Sequence, residues 1–272
     1  MFKSTKNNKL IMNVLDTLQR FCQVRNHNPS FTGSKVPTPR VEFLLKELDA
    51  MGLTYELDKF PAERGWRSQS SSENDNSFYY NIYVNVNNLP AEYQGESVIF
   101  LAHHDVNNPA LDNTNDNSAS IINLLYLATL IPGKNVFLAF TDCEEFGGAG
   151  ADRLATKINE GKFGTVKYAV NLELTAFGEH LLVGNASGSF LMQKVISIDP
   201  TVDVTSTPFH DGVVLRRAGI DSTVLGILPK MEGSDKLDYR VFGWCHRKED
   251  HIGIANEQDM KNFVENILVK LA

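Results

Sequence analysis

Val98-Ile99-Phe100-Leu101-Ala102-His103-His104-Asp105 is an unbroken apolar run that ends abruptly in two histidines and a carboxylate. Such a run fits a strand buried on both faces, as in a sheet sandwiched between helices. Similar runs recur at Tyr79–Val86, Val136–Phe140, Tyr168–Leu174 and Thr223–Ile227. Helical patterns separate many of them: Ser118–Leu130, Gly150–Ile158, Phe190–Ile198, Gly212–Ala218 and Glu257–Leu271. The alternation predicts an α/β fold, a three-layer α/β/α sandwich with a mostly parallel, mixed central sheet. Two helices precede it. Leu10, Val14, Leu18 and Phe21 share a helical face, and a second helix runs from the N-cap Thr38 and Pro39 to Gly52. The polar stretch 63–77 reads as a hairpin loop between strand-like segments. No repeat or second-domain signal interrupts residues 1–272, so one catalytic domain is expected.

Composition narrows the classes. The chain has 272 residues, 42% hydrophobic and 22% charged, enough for an ordinary core. A formal net charge of −7 argues against a nucleic-acid partner, which would need clustered Lys and Arg. No run approaches the ~18 apolar residues of a membrane span. The N-terminus lacks a signal-peptide pattern, and three cysteines, Cys22, Cys143 and Cys245, form no disulfide framework. A cytoplasmic protein without a membrane partner is the expectation.

The polar residues that follow the strands carry the chemistry. In a largely parallel sheet, ligands gather at the carboxyl ends of strands. His103 follows the run 98–102, Glu144 and Glu145 follow 136–140, Glu173 closes 168–172, and Asp116 stands before the helix at Ser118. Imidazole nitrogen and carboxylate oxygen are good zinc ligands. Two zinc ions about 3.5–4 Å apart can share a carboxylate and a water in hydrolytic sites. The expected division is His103 and Glu173 on one zinc, Glu145 and His246 on the other, and Asp116 across both. Asp105 would fix the tautomer of His103. Glu144 would be the general base for the metal-bridging water. Asp116 has a competing role as a helix cap. His251 and His210 compete with His246, which Asp250 could orient. His104 and His180 read as structural or surface residues and His27 as part of an N-terminal loop, while Cys143 and Cys245 read as packing residues.

The chain resembles the zinc aminopeptidases of the bacterial leucyl aminopeptidase and glutamate carboxypeptidase group. The resemblance rests on Ala102-His103-His104-Asp105, Asn115-Asp116-Asn117-Ser118-Ala119-Ser120, Cys143-Glu144-Glu145-Phe146-Gly147, Asn171-Leu172-Glu173 and Cys245-His246-Arg247-Lys248-Glu249-Asp250. Phe43–Leu48 through Gly52-Leu53 resembles the family's leading helix. Leu215–Ile220 resembles its substrate-side helix, which puts Asp211 near the cleft. The resemblance implies the same ligand and base roles, two zinc ions per chain, a cis peptide between Asp116 and Asn117, and a peptide or amino-acid-derived small substrate. An aminopeptidase is the leading expectation. Glu173 stands where these aminopeptidases more often carry Asp, and Cys-His-Arg-Lys replaces the usual Tyr-His-Thr-Pro. Glu173 and the pair Arg216-Arg217, a possible carboxylate clamp, favour a carboxypeptidase or N-acyl amino-acid amidohydrolase as the alternative. A single-zinc glutaminyl cyclase and a non-catalytic binding module follow it. The short separation of Glu173 and His246 excludes an inserted dimerisation domain, and the sequence is silent on oligomeric state.

Overall fold

The computed structural model describes residues 12–25, 33–61, 77–87, 89 and 93–272. Helix α1 spans Val14–Cys22 and α2 spans Pro39–Met51. The strands and helices then follow in order: β1 Thr54–Pro61, β2 Phe78–Asn85, β3 Glu96–His103, α3 Ala119–Leu130, β4 Val136–Thr141, α4 Ala149–Asn159, β5 Thr165–Leu172, β6 His180–Gly184, α5 Phe190–Ile198, β7 Asp203–Thr205, α6 Asp211–Arg217 and β8 Ser222–Leu228. The chain ends in α7 Glu257–Phe263, a π-type turn Val264–Leu268, and α8 Val269–Leu271.

The caps follow the sequence. Thr38 Oγ1 accepts the backbone N–H of Val41, Pro39 opens α2, and Gly52 closes it at φ 68°. Asn13 caps α1 at Val14, and Leu10 of the expected apolar face lies outside the described residues.

Among the described residues the strands join one sheet in the order β1-β2-β4-β3-β5-β8-β6-β7. Pairs β3–β4, β3–β5, β5–β8 and β6–β7 are parallel, and β1–β2, β2–β4 and β6–β8 are antiparallel. The sheet is mixed, as expected. Its side chains alternate between two cores. Phe100, Leu138, Phe140 and Val170 pack with α1, α2, α3, α5 and α7 on one face. Ile99, Leu101, Phe137 and Ala139 pack with Leu154, Ile158 and Leu215 of α4 and α6 on the other. This two-sided burial is why the central strands read as continuous apolar runs. Fully burying one Leu or Phe contributes about 1.5–3 kcal/mol, so each of these central rows adds several kcal/mol to the layers.

The expected strand 168–174 ends at Leu172. Leu174 adopts a left-handed φ of 57° instead, turning the chain out of the sheet just after Glu173. The short strands β6 and β7 have no clear sequence pattern and complete the sheet beyond β8. The polar 63–77 loop and His27 lie almost wholly outside the described residues.

Candidate metal centre

Three parallel strands aim their carboxyl ends at one point. β3 lies between β4 and β5, so His103 stands between the Glu144-Glu145 loop and Glu173. His103 is 1% exposed. Its Nδ1 lies 3.2 Å from Asp105 Oδ1 and 3.3 Å from the Asp105 carbonyl oxygen. A proton on Nδ1 therefore leaves Nε2 as the free electron pair. That nitrogen faces Asp116 Oδ1 at 3.2 Å, Glu173 Oε2 at 3.4 Å and Glu144 Oε2 at 4.0 Å. Asp105 has a second task. The backbone N–H groups of Glu144 and Glu145 donate to its two carboxylate oxygens at 3.1 and 3.3 Å, tying the β4 loop to the end of β3.

Asp116 sits in the buried turn Thr114–Ser118, and the peptide between Asp116 and Asn117 is cis. The turn is held from three sides. Backbone N–H groups of Asn115 and Asp116 donate to Asp250 at 2.6 and 3.1 Å, Ala176 N–H donates to Asn115 Oδ1 at 2.9 Å, and Asn117 Nδ2 donates to the Leu172 carbonyl at 2.8 Å. Asp116 does not cap α3. Its Oδ1 points to His103, and its Oδ2 lies 3.1 Å from His246 Nε2. His246 Nε2 also lies 2.7 Å from Glu145 Oε2. Asp250 was expected to orient His246. It holds the Asp116 turn instead, because its carboxylate is occupied by the two backbone donors.

The geometry separates His246 from its rivals. The backbone N–H of Gly253 donates to His251 Nδ1, which caps a short turn, and His210 is buried beside α6. His104 is also buried, with Nε2 2.7 Å from the Tyr80 carbonyl. Cys143, Leu174 and His246 all have φ near +60°, an unfavourable region for residues with a Cβ. Each is, or directly neighbours, a residue of the cluster. Gly226 lets β8 approach: a Cβ there would stand 2.5 Å from the Glu173 carbonyl oxygen.

Two sets of donor atoms emerge, His103–Asp116–Glu173 and Asp116–Glu145–His246, each with its atoms within 4.8 Å of one another. Their electrostatics call for cations. Burial, reinforced by Asp116, pushes Glu145 up to about 7. Burial likewise raises Glu173, and it raises Glu144 well above the carboxylate range with help from Glu173 and Asp211. His103 resists burial and is raised well above the usual imidazole value by Glu173, Asp105 and Asp116. His246 is pushed up to about 10 by Asp116 and Glu145. Carboxylates this crowded and buried are costly to ionise without added positive charge. Oxygen and imidazole donors in two sets that share Asp116 fit a pair of divalent ions.

A cavity of about 750 Å³ opens over the cluster. Leu182, Pro208, Phe209, Val224, Leu228 and Phe242 form its apolar wall. Of the expected substrate residues, only Arg217 lines it. Asp211 is fully buried, receives the Thr141 hydroxyl at 2.6 Å and is raised to about 7 by burial. Arg216 turns away and donates to the Ser222 carbonyl at 2.9 Å. Arg247 and Cys245 also face the cavity. Cys143 is buried instead, packing with Phe60 and Tyr79.

The sequence profile of peptidase family M28 matches residues 81–270. The chain belongs to peptidase family M28. No curated protein sequence matches it. Solved structures share its fold. A zinc aminopeptidase from Bacillus subtilis is 18% identical, with a TM-score of 0.58 over 72% of this chain and 50% of that one. The chain thus spans about half the length of that relative. An aminopeptidase from Aneurinibacillus is 11% identical, with a TM-score of 0.68 over 95% and 92% of the two chains. A glutaminyl cyclase from Fimbriiglobus ruber is 17% identical, with a TM-score of 0.69 over 100% and 98%. The M28 match includes all five residues of the two donor sets, as well as Asp105 and Glu144.

Proposed function

We propose that the protein is a zinc-dependent exopeptidase, an aminopeptidase that binds two zinc ions per chain. The observation that carries this reading is the Asp116 carboxylate, with one oxygen 3.2 Å from His103 and the other 3.1 Å from His246. His103, Asp116 and Glu173 would hold one ion, and Asp116, Glu145 and His246 the other. Bound zinc would supply Lewis acidity toward a scissile carbonyl and make a water in the site more acidic.

The chain's own groups supply the rest. Glu144 reaches within 4.0 Å of His103 but belongs to neither donor set. Its Oε2 is free to take a proton from the attacking water and return it to the leaving amine. Asp105 keeps the His103 proton on Nδ1 and anchors the loop that carries Glu144. The apolar wall receives the side chain next to the scissile bond and excludes water from it. Replacing Glu144 with Gln tests this assignment: zinc content should persist while hydrolysis of leucyl substrates falls by about 10²–10⁴-fold. Retained turnover would remove Glu144 from the chemistry.

Full-length overlap with the Fimbriiglobus ruber glutaminyl cyclase supports a second reading, cyclisation of an N-terminal glutamine. Ammonia release from a glutaminyl peptide without peptide-bond cleavage would favour it.

A further inference from the structure

Arg217, the last residue of α6, and Arg247, directly after His246, line the same cavity. Both side chains belong to exposed residues. Among the described residues neither guanidinium makes an ion pair or a side-chain hydrogen bond. Arg217 acts on Asp152 of α4 only through space. Arg216 is different, being spent on the Ser222 carbonyl. Two unpaired guanidiniums therefore line a cavity that also holds Asp116, Glu144, Glu145 and Glu173 and whose wall is apolar.

We propose that Arg217 and Arg247 form a carboxylate-binding subsite, and that the substrates are short peptides whose free C-terminus ends inside this cavity. This inference rests on the exopeptidase reading. A guanidinium presents its N–H donors in a planar fork that matches a carboxylate, and the contact is charge-assisted. The volume lies in the range that encloses most of a small ligand rather than a long chain. A longer peptide would bring no terminal carboxylate into the cavity and would leave both arginines without an anion. Selection thus acts on the end of the substrate opposite the scissile bond.

The test is calorimetric binding to the zinc-loaded Glu144→Gln protein, using Leu-Leu, Leu-Leu-amide and Leu-Glu-amide as probes. Leu-Leu should bind about tenfold or more tightly than Leu-Leu-amide, the scale of one charge-assisted contact. That ratio should shrink in Arg217→Gln, which is remote in sequence from the candidate ligands, and approach one when Arg247→Gln is added. Equal binding of Leu-Leu and its amide would overturn the proposal, as would an unchanged ratio in the double variant. Tighter binding of Leu-Glu-amide than of Leu-Leu would assign the carboxylate to a side chain and overturn the C-terminal assignment. Hydrolysis by the wild-type protein is read separately. Absence of turnover on every peptide would sink the exopeptidase reading, while the binding ratio would still decide the role of the arginines.

Discussion

Asp250 reaches Asp116 across 134 positions of sequence and accepts its backbone N–H at 3.1 Å. The same carboxylate takes the Asn115 N–H at 2.6 Å, so one side chain holds two backbone donors of the turn that aims Asp116 at both histidines. Supporting contacts behind candidate ligands typically change metal affinity by about 10–100-fold. Asp250→Ala should therefore bind zinc more weakly by that factor, as measured by competition with a chromogenic chelator. Asp250→Asn keeps one acceptor oxygen and should lose less. Unaltered affinity in both variants would show that the turn holds its shape without Asp250.

Asp105 couples two strands of the site. It meets His103 Nδ1 at 3.2 Å and receives the Glu144 N–H at 3.1 Å. Asp105→Asn leaves one acceptor oxygen for three donors, His103 Nδ1 and the Glu144 and Glu145 N–H groups. Turnover should fall by at least about tenfold, with a smaller effect on zinc content, since general-base positioning contributes more than tenfold in comparable sites. Steady-state kinetics beside metal analysis separate the two effects, and wild-type rates in this variant would contradict the coupling.

Arg40 is 1% exposed and donates Nε to the His104 carbonyl at 2.8 Å and Nη2 to Ser118 Oγ at 3.0 Å. Its guanidinium stacks 3.9 Å over Phe21, linking α1 and α2 to both sides of the site. Arg40→Met strands two buried acceptors, each costing about 1–3 kcal/mol. Urea unfolding should register a loss of about 2–6 kcal/mol, the sum of the two penalties under the same rule. A loss below about half a kcal/mol would place Arg40 among ordinary surface-type residues.

His104 gives stability a defined pH dependence. Burial pushes its imidazole down to about 4, against the opposing pull of the Tyr80 carbonyl and Asp105, so the folded ring is neutral. Between pH 4 and the unfolded value of 6.5 the unfolded chain binds a proton that the folded chain refuses. Its contribution is therefore complete above about pH 6.5 and is lost as the pH falls toward 4, by about 3 kcal/mol. Unfolding in excess chelator at stepped pH should show a shallower slope in His104→Gln than in the wild type. Identical slopes would mean that His104 titrates alike in both states.

Much of this was legible in the chain because period and position coincide. Val98–Ala102 lies between two cores, so the run is apolar throughout and the first polar residue, His103, marks the sheet edge. Glu145 and Glu173 follow by the same logic on the flanking strands. The roles that escaped depend on rotation and distance. Arg216 and Arg217 are neighbours in sequence, but the helical turn of α6 sends one to the Ser222 carbonyl and the other to the cavity. Asp250 lies four residues beyond His246, yet its partners sit in a turn that no local pattern connects to it. β7 has only Asp203–Thr205, too few residues for alternation to rise above a loop.

Asp116 belongs to both donor sets and is proposed to be shared between two ions. Zinc analysis of the wild-type protein, loaded with excess zinc and then desalted, tests it most directly. Two zinc ions per chain are expected, falling below one in Asp116→Ala because both donor sets lose a member. One zinc ion per wild-type chain, or two that persist without Asp116, would contradict it.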